Sequence, residues 1–337
     1  IINRLEGMNI DQSSIWAGTI HQFCMHFIIR PYAMYSKKLC KGYRIIDDYS
    51  KKAYGREIAE RLGMHLSYYD DPFQYENVRT EYKHVLEERK EIDFDAILLI
   101  SEELLSSCVF ISSNIASVIS SILVDEFQDT NYGQYMVLTS MCGNINNNIF
   151  IVADDDQVIY GWNGADHRRI SQFKEMFGAE LIQLNQNFRC PKEVIEAANH
   201  LIAHNSGREK NKKPLEAMKV LVDSNPHIYC NEFENEQSEA QTIPRIIQQI
   251  LEKSPGETIS VLARTNRLLE LAFQETKNAG IKCEKSKRKS DFETPYILWM
   301  FLALKLSNHR TDKRILKEIV GVLSGGLDFD INEDEVI

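Results

Sequence analysis

The sequence predicts an α/β protein with parallel sheets flanked by helices, and three stretches carry that prediction. Each is a short aliphatic, β-branched run that breaks off at polar side chains. Ile122-Leu-Val124 stops at Asp125-Glu126, Ile149-Phe-Ile-Val152 leads to Asp154-Asp-Asp156, and Leu181-Ile-Gln-Leu184 leads to Asn187-Phe-Arg189. A run without polar alternation suits a strand covered on both faces, as in a parallel sheet between helix layers. Ligands of such sheets gather beyond the carboxyl ends of the strands, where Asp125 and Glu126 fall.

Those two acids carry a chemical suggestion. A hard cation such as Mg²⁺ takes one or two carboxylates plus substrate phosphates, and a water attacking a phosphate needs a base or an orienting group beside it. Adjacent acids can divide the two jobs, although an acid pair that ends a strand in a solvated turn reads the same way in isolation. The wider context is more specific. Asp125-Glu-Phe-Gln-Asp-Thr-Asn131 is followed by Asp154-Asp-Asp-Gln-Val-Ile-Tyr-Gly-Trp-Asn-Gly-Ala-Asp166 and then by Gln186-Asn-Phe-Arg-Cys-Pro191. In this order the three segments resemble motifs II, III and IV of the superfamily 1 helicases of the UvrD/Rep type. The resemblance thins out over the rest of the chain but covers nearly all of it.

It implies two RecA-like domains of the P-loop NTPase type, both incomplete. The first spans 1–183, with a shortened helical insertion near 47–105. Residues 184–292 form part of the second, and 293–337 begin a helical insertion within it. The phosphate loop G-x-x-x-x-G-K-[ST] does not occur in the sequence, and the chain ends before motifs V and VI. The expectation is therefore a fragment with little ATPase activity of its own, taken from an intact ATP-dependent DNA helicase.

Composition sets the boundaries. At 337 residues the chain is long enough for two domains with proper cores. A net charge of −10 argues against a lysine-coated duplex binder, so contact with nucleic acid must be local and partly by stacking. Seven cysteines, an odd number with no C-x-x-C pair, read as reduced thiols rather than as a disulfide framework or a zinc site. No signal peptide and no apolar run of transmembrane length is visible, which makes a cytoplasmic location and no membrane partner the default.

In chain order, Ile15 to Thr19 reads as a strand turning into a helix through Ile29 that Arg30-Pro31 should stop. The segment is similar to the family's G-T-[FI]-H-x-[FL] motif, which implies contact of Thr19 and His21 with single-stranded DNA; a hydrogen-bonded core histidine is the alternative for His21. Asp47 to Leu62 is helical, and Gly63 to Arg89 is polar and Tyr-rich, shorter than the family's duplex-binding insertion. Asp93 or Asp95 should start a helix through Leu105, where the helix dipole favours acids. Gly133 to Cys142 is a short helix, and Gly178 should close another over Arg168 to Phe177. Pro191 opens a helix to about His204, with Val194, Ile195, Ala198, Leu201 and Ile202 on its apolar side. Arg208 to Lys213 reads as a solvated basic turn. His227 to Phe233 and Thr258 to Ala263 read as strands around a helix from Ser238 to Leu251. Asn266 should cap the helix that Gly280 terminates. Lys282 to Lys289 is either a solvated basic loop or a phosphate-contacting patch, and Thr294 to Leu306 is an apolar helix.

The resemblance assigns roles residue by residue. Asp125 would hold Mg²⁺ and Glu126 would orient or deprotonate the attacking water. Gln157 would sense the γ-phosphate of ATP, since an amide can both donate and accept. Phe188, where the family usually has Tyr, would stack on adenine, and Arg189 would meet the γ-phosphate with a planar fork that stays charged. Tyr160 and Trp162 offer flat faces to unstacked bases, and Arg264 and Asn266 would meet the DNA backbone. Ala153 and Asn163 depart from the usual Gly and Arg, and Asn163 removes a charge beside Trp162. The implied partner is single-stranded or partly duplex DNA, travelled 3′ to 5′. Two other readings stay open: a non-catalytic DNA-binding or interaction module, and the motor of a repair or phage-defence system whose partner supplies a nuclease.

Overall fold

The computed structural model describes residues 7, 14–66, 70–142, 148–205, 208–209, 211–219, 228–285, 295–308, 315–316, 319–320 and 322–323. Its contacts divide into two compact units, Ile1–Ile228 and Tyr229–Ile337. The chain is a helix-rich α/β protein with two-stranded parallel sheets.

In the first unit, α1 (Ile20–Phe23) opens with a reciprocal cap: Thr19 Oγ1 accepts from the Gln22 amide, and Gln22 Oε1 accepts from the Thr19 amide. The helix then widens into a π-helical stretch, Cys24–Ile29, and continues as α2 (Arg30–Tyr32). The sequence predicts a stop at Arg30-Pro31, and the widening explains why none occurs. Proline cannot donate to the carbonyl four residues back and its ring clashes there, but the preceding turn closes over five residues, Arg30 N–H to Met25 O. Ile15 to Thr19, expected as a strand, joins no ladder among the described residues.

Asp47 caps α3 (Asp48–Arg61) by accepting from the Ser50 amide, and α4 (Glu76–Arg89) ends at Lys90 in the left-handed region, φ +54°. Flanking the two helices in the chain, β1 (Arg44–Ile45) pairs in parallel with β2 (Glu91–Ile92). Asp93 is the residue that caps α5 (Phe94–Ser107), at 2.9 Å from the Ala96 amide, while Asp95 lies in the first turn. The apolar face of α5 packs against the π-helical stretch and against α7 (below), and with α6 (Val109–Val118) it forms the main core around Ile28, Ile97, Ile100, Leu104 and Ile111.

The element that positions the site is β3 (Ile122–Val124), paired in parallel with β4 (Ile149–Ile151). α7 (Tyr132–Cys142) connects them, and α8 (Arg168–Phe177) follows and is closed by Gly178 at φ +59°. Phe127, fully buried among Tyr135, Leu138, Cys142 and Phe173, ties the end of β3 to these helices. The expectation that both faces of the strand are covered does not hold. Leu123 is 77% exposed, and its register partner Phe150 is 55% exposed. The helices pack on the Ile122, Val124, Ile149 and Ile151 side alone.

Leu181 to Arg189 forms only a short strand, β5 (Gln186–Asn187), paired in parallel with β6 (Glu216–Ala217). α9 (Lys192–Ile202) starts after Pro191 and buries Ile195, but Leu201, about a third of a turn round the helix from it, is 72% exposed.

In the second unit α10 (Glu236–Lys253) packs on α11 (Asn266–Asn278), and α12 (Pro295–Asn308) follows. Thr265, not Asn266, is the cap of α11, with its hydroxyl 3.4 Å from the Leu268 amide, and Gly280 lies just past the helix end. The predicted strands at 228–233 and 258–263 join no ladder among the described residues, and Leu262 is 90% exposed; His227 lies outside the described residues. Lys285 pairs with Glu270, whereas the remainder of the basic stretch to Lys289, the segment Ile1 to Glu6 and Thr294 lie outside the described residues.

All seven cysteines are free thiols. Burial pushes Cys24 up to about 11 and Cys142 up to about 12. No helix among the described residues is long and apolar enough to cross a membrane.

Candidate active site

The carboxyl end of β3 turns sharply. Glu126 takes a left-handed backbone, φ +51° and ψ +41°, and the chain then enters a 3-10 turn over Phe127–Asp129. That reversal separates the two residues before the turn from the two that enter it. Asp125 and Glu126 stay exposed, while Phe127 and Gln128 are buried at 0% and 2% exposure. The strand pairing holds the turn in place, since Val152 N–H donates to Val124 O at 2.8 Å and Phe127 N–H donates to Val152 O at 3.0 Å.

The buried Gln128 amide is the hub. Its Nε2 donates to Glu126 Oε2 at 2.7 Å, and its Oε1 accepts from the Asp154 backbone N–H at 3.1 Å. Asp154 in turn accepts from Gln157 Nε2 at 2.7 Å and from the Asp156 amide at 3.1 Å. One hydrogen-bonded line therefore joins the acid after β3 to the glutamine after β4. Asp129, also in the turn, has one buried carboxylate oxygen without a hydrogen-bond partner. Burial, and then the charge of Glu126, hold its carboxyl above the usual range.

The three aspartates after β4 are gripped by the segment expected to be a solvated turn. The Lys212 ammonium lies 2.8 Å from Asp156 Oδ2 and closer still to Asp154 and Asp155. Arg208 Nε lies 3.0 Å from Asp156, Asn205 Nδ2 donates to Asp156 at 3.2 Å, and the Glu209 amide donates to Asp155 at 2.7 Å. Arg208 and Lys212 are 21% and 22% exposed, so this turn is not solvated; it is a clasp. Burial works against the Lys212 charge, but its three carboxylate partners outweigh that and hold it above the ordinary lysine range. Burial likewise pushes Asp154 up, and the hydrogen bonds from Lys212 and Gln157 more than reverse it, leaving its carboxyl below the ordinary value.

The donor sets decide where a cation fits. Carboxylate oxygens of Asp154, Asp155 and Asp156 lie within 4.8 Å of one another, as metal ligands do, but an ammonium already fills their centre. Asp125 is different: it is exposed at the strand end, its Oδ1 accepting only a 3.1 Å bond from the adjacent Glu126 amide, which suits a cation that takes one or two carboxylates and keeps its other ligands from water and phosphate.

The other predicted site residues fall into separate neighbourhoods. Tyr160 and Trp162 flank Gly161 with ring centroids 6.1 Å apart, and Trp162 is 82% exposed. Phe188 is 71% exposed and Arg189 is exposed; the Asn187 side chain accepts from the Arg189 and Cys190 amides and fixes that turn. Thr19 is committed to its helix cap. His21 packs edge-on against Phe94 at 6.0 Å, and burial holds its imidazole below the usual value despite nearby Asp95. Arg264 and Asn266 are exposed in the second unit. Nothing in the sequence pattern marks Gln128, and Arg208 and Lys212 look from sequence like part of a solvated turn. Three consecutive aspartates opposite a basic loop of similar size were the available signal, through charge complementarity alone.

The strand-end acid pair, the amide-linked second strand end and the exposed aromatic pair all fall within a segment that matches a known protein family. The UvrD/REP helicase N-terminal domain matches residues 56–178, and the UvrD-like helicase C-terminal domain matches residues 182–329. The chain belongs to the UvrD/Rep-type helicase family. It is 30% identical over 229 residues to DNA helicase II of Escherichia coli, covering 60% of this chain and 31% of that protein. It is 26% identical over 350 residues to DNA helicase II of Salmonella typhimurium, covering 95% of this chain and 47% of that protein. An ATP-dependent DNA helicase Rep of Buchnera aphidicola is 31% identical over 258 residues, 73% of this chain and 38% of that protein. The chain thus spans less than half the length of these curated relatives.

Proposed function

We propose that this chain is part of an ATP-dependent DNA helicase or translocase that moves along single-stranded DNA, 3′ to 5′ by likeness to its family, in the cytoplasm. The reading divides it into a first RecA-like motor domain over 1–183, part of a second over 184–292, and the start of a helical insertion over 293–337. The hydrogen-bonded line Glu126–Gln128–Asp154–Gln157 carries the reading, because it holds a carboxylate and an amide from two parallel strand ends as one unit. The names of the relatives support DNA as the substrate and ATP as the fuel.

Asp125 is the residue that would hold Mg²⁺, and Phe188 and Arg189 would take the adenine and the γ-phosphate. Mg²⁺ bound with ATP neutralises phosphate charge that builds up as the terminal group is displaced. Glu126 orients the attacking water and accepts its proton at a carboxylate oxygen. Gln157 swings between Asp154 and a phosphate oxygen, an exchange its amide can make without a change of charge. Trp162 and Tyr160 stack on unpaired bases, which grips a strand of any sequence and suits a protein of net negative charge. Thr19 and His21 contact the single strand, and Arg264 and Asn266 meet its backbone.

The test is DNA-stimulated ATP hydrolysis by the full-length protein that carries this sequence. Glu126→Gln should abolish turnover while equilibrium binding of ATP is retained within about twofold, because only the base is lost. Turnover persisting in that variant would sink the assignment.

A further inference from the structure

Gln128 is buried at 2% exposure, touches Glu126 and the Asp154 backbone with opposite ends of its amide, and has no assigned role in hydrolysis. Its geometry is that of a bracket. The Asp154 N–H can only donate, so it selects the oxygen of the Gln128 amide and forces the NH₂ toward Glu126. The amide cannot flip without losing both bonds inside the protein, where an unmade hydrogen bond to a charged group is expensive. Glu126 is thus held from the side, at 2.7 Å, on a backbone that a non-glycine residue rarely adopts. Asp154, which fixes the bracket, is itself fixed through its side chain by Lys212, 58 residues further along the chain. Lys212 lies in the region matched by the C-terminal family domain and Asp154 in that matched by the N-terminal one, so the clasp joins the two family regions.

We propose that Gln128 is a positioning residue for hydrolysis: its buried amide orients the Glu126 carboxylate, and Lys212, through Asp154, sets where that amide stands. This rests on the hydrolytic reading of Glu126. A shift of Lys212 reaches the carboxylate through two hydrogen-bonded side chains and one backbone amide, which gives the second family region a mechanical line to the chemistry of the first.

The experiment is steady-state, DNA-stimulated ATP hydrolysis by the full-length protein and four variants. Gln128→Leu keeps much of the volume and removes both bonds; kcat should fall about tenfold or more, with KM for ATP within about twofold. Lys212→Met should lower kcat in the same way, Lys212→Arg should restore most of it, and Gln128→Leu with Lys212→Met should be little worse than Gln128→Leu alone, since residues that act as one unit are non-additive. Should Gln128→Leu fail to fold, Gln128→Met decides by the same criteria: it keeps the length of the side chain but neither accepts from Asp154 nor donates to Glu126. A kcat within twofold of wild type, a change confined to KM, or full additivity of the two sites overturns the proposal. If Glu126→Gln abolishes turnover while Gln128→Leu leaves it intact, only the positioning role falls. If the wild-type protein hydrolyses no ATP, the functional reading falls and takes this one with it.

Discussion

Replacing Lys212 with methionine removes the cation at the centre of three carboxylates and keeps most of the aliphatic stem. The Lys212 ammonium is 2.8 Å from Asp156, which at an effective dielectric of about 20 corresponds to about 6 kcal/mol of attraction for that pair. Desolvation cancels much of this, since the Lys212 side chain is 22% exposed and that of Asp156 only 5%. What remains after the substitution is worse than the loss of an attraction: three anions within 4.8 Å of one another, left without their main counter-ion. Removing one partner from a buried pair costs about 3–5 kcal/mol, and the lower end fits a cluster that keeps Arg208. For a unit of this size about 3 kcal/mol lowers the melting temperature by roughly 6–12 °C. Thermal unfolding at pH 7 measures it, with Lys192→Met as control. Lys192 is 75% exposed in its pair with Glu196, and surface pairs are worth about 1 kcal/mol or less. The deficit should also depend on pH. In the wild type Asp154 titrates below its ordinary value of 3.8, so its share of the stability is complete above 3.8 and is lost as the pH falls through its folded value. Without Lys212 Asp154 takes up its proton more readily, so the gap between variant and wild type narrows as the pH falls toward 4. Equal shifts for Lys192→Met and Lys212→Met, or a gap that widens in acid, would refute the account.

Two further expectations follow from other parts of the molecule. Trp162→Ala should weaken binding of a fluorescent oligo-dT by about 1–3 kcal/mol, measured by anisotropy, with little change in melting temperature because the ring is 82% exposed; an unchanged affinity removes Trp162 from the DNA interface. Hydrogen bonds from the Arg168 guanidinium hold Asp166 down at about 2, so Asp166→Asn should be less stable than wild type above pH 3.8, with the difference fading between 3.8 and 2; denaturant midpoints at pH 6, 4 and 3 show whether it does.

Local signals in the sequence located much of the framework, and the reasons for the failures are physical. The unbroken aliphatic runs became β3 and β4, and the caps at Asp47 and Asp93 and the stop at Gly178 fall where short-range rules put them. These depend on residues within a few positions of one another. The Lys212 clasp depends on partners 56 to 58 residues away, and a charge run viewed without its partner looks solvated. Gln128 was invisible for a related reason, since hydropathy periodicity says nothing about a buried polar side chain. At 228–233 and 258–263 the β-forming side chains are present but no ladder partner is found among the described residues, and a strand is defined by its neighbour. Pro31 misled because its cost was evaluated against a regular helix, whereas the chain widens the turn before it.

The left-handed backbone at Glu126 separates two kinds of selection. Lys90 shares that conformation at a helix end, where a glycine would serve as well or better. Glycine at 126 would likewise relieve about 1–2 kcal/mol of steric strain, so a library screened for thermal tolerance alone should drift toward glycine at both positions. A library screened for ATP-driven movement should keep Glu126 and let Lys90 go. On the proposed hydrolytic role of Glu126, the same backbone angle is a reservoir of unused stability at one position and is kept for chemistry at the other, and comparing which residues two such screens retain would tell them apart without any structure at all.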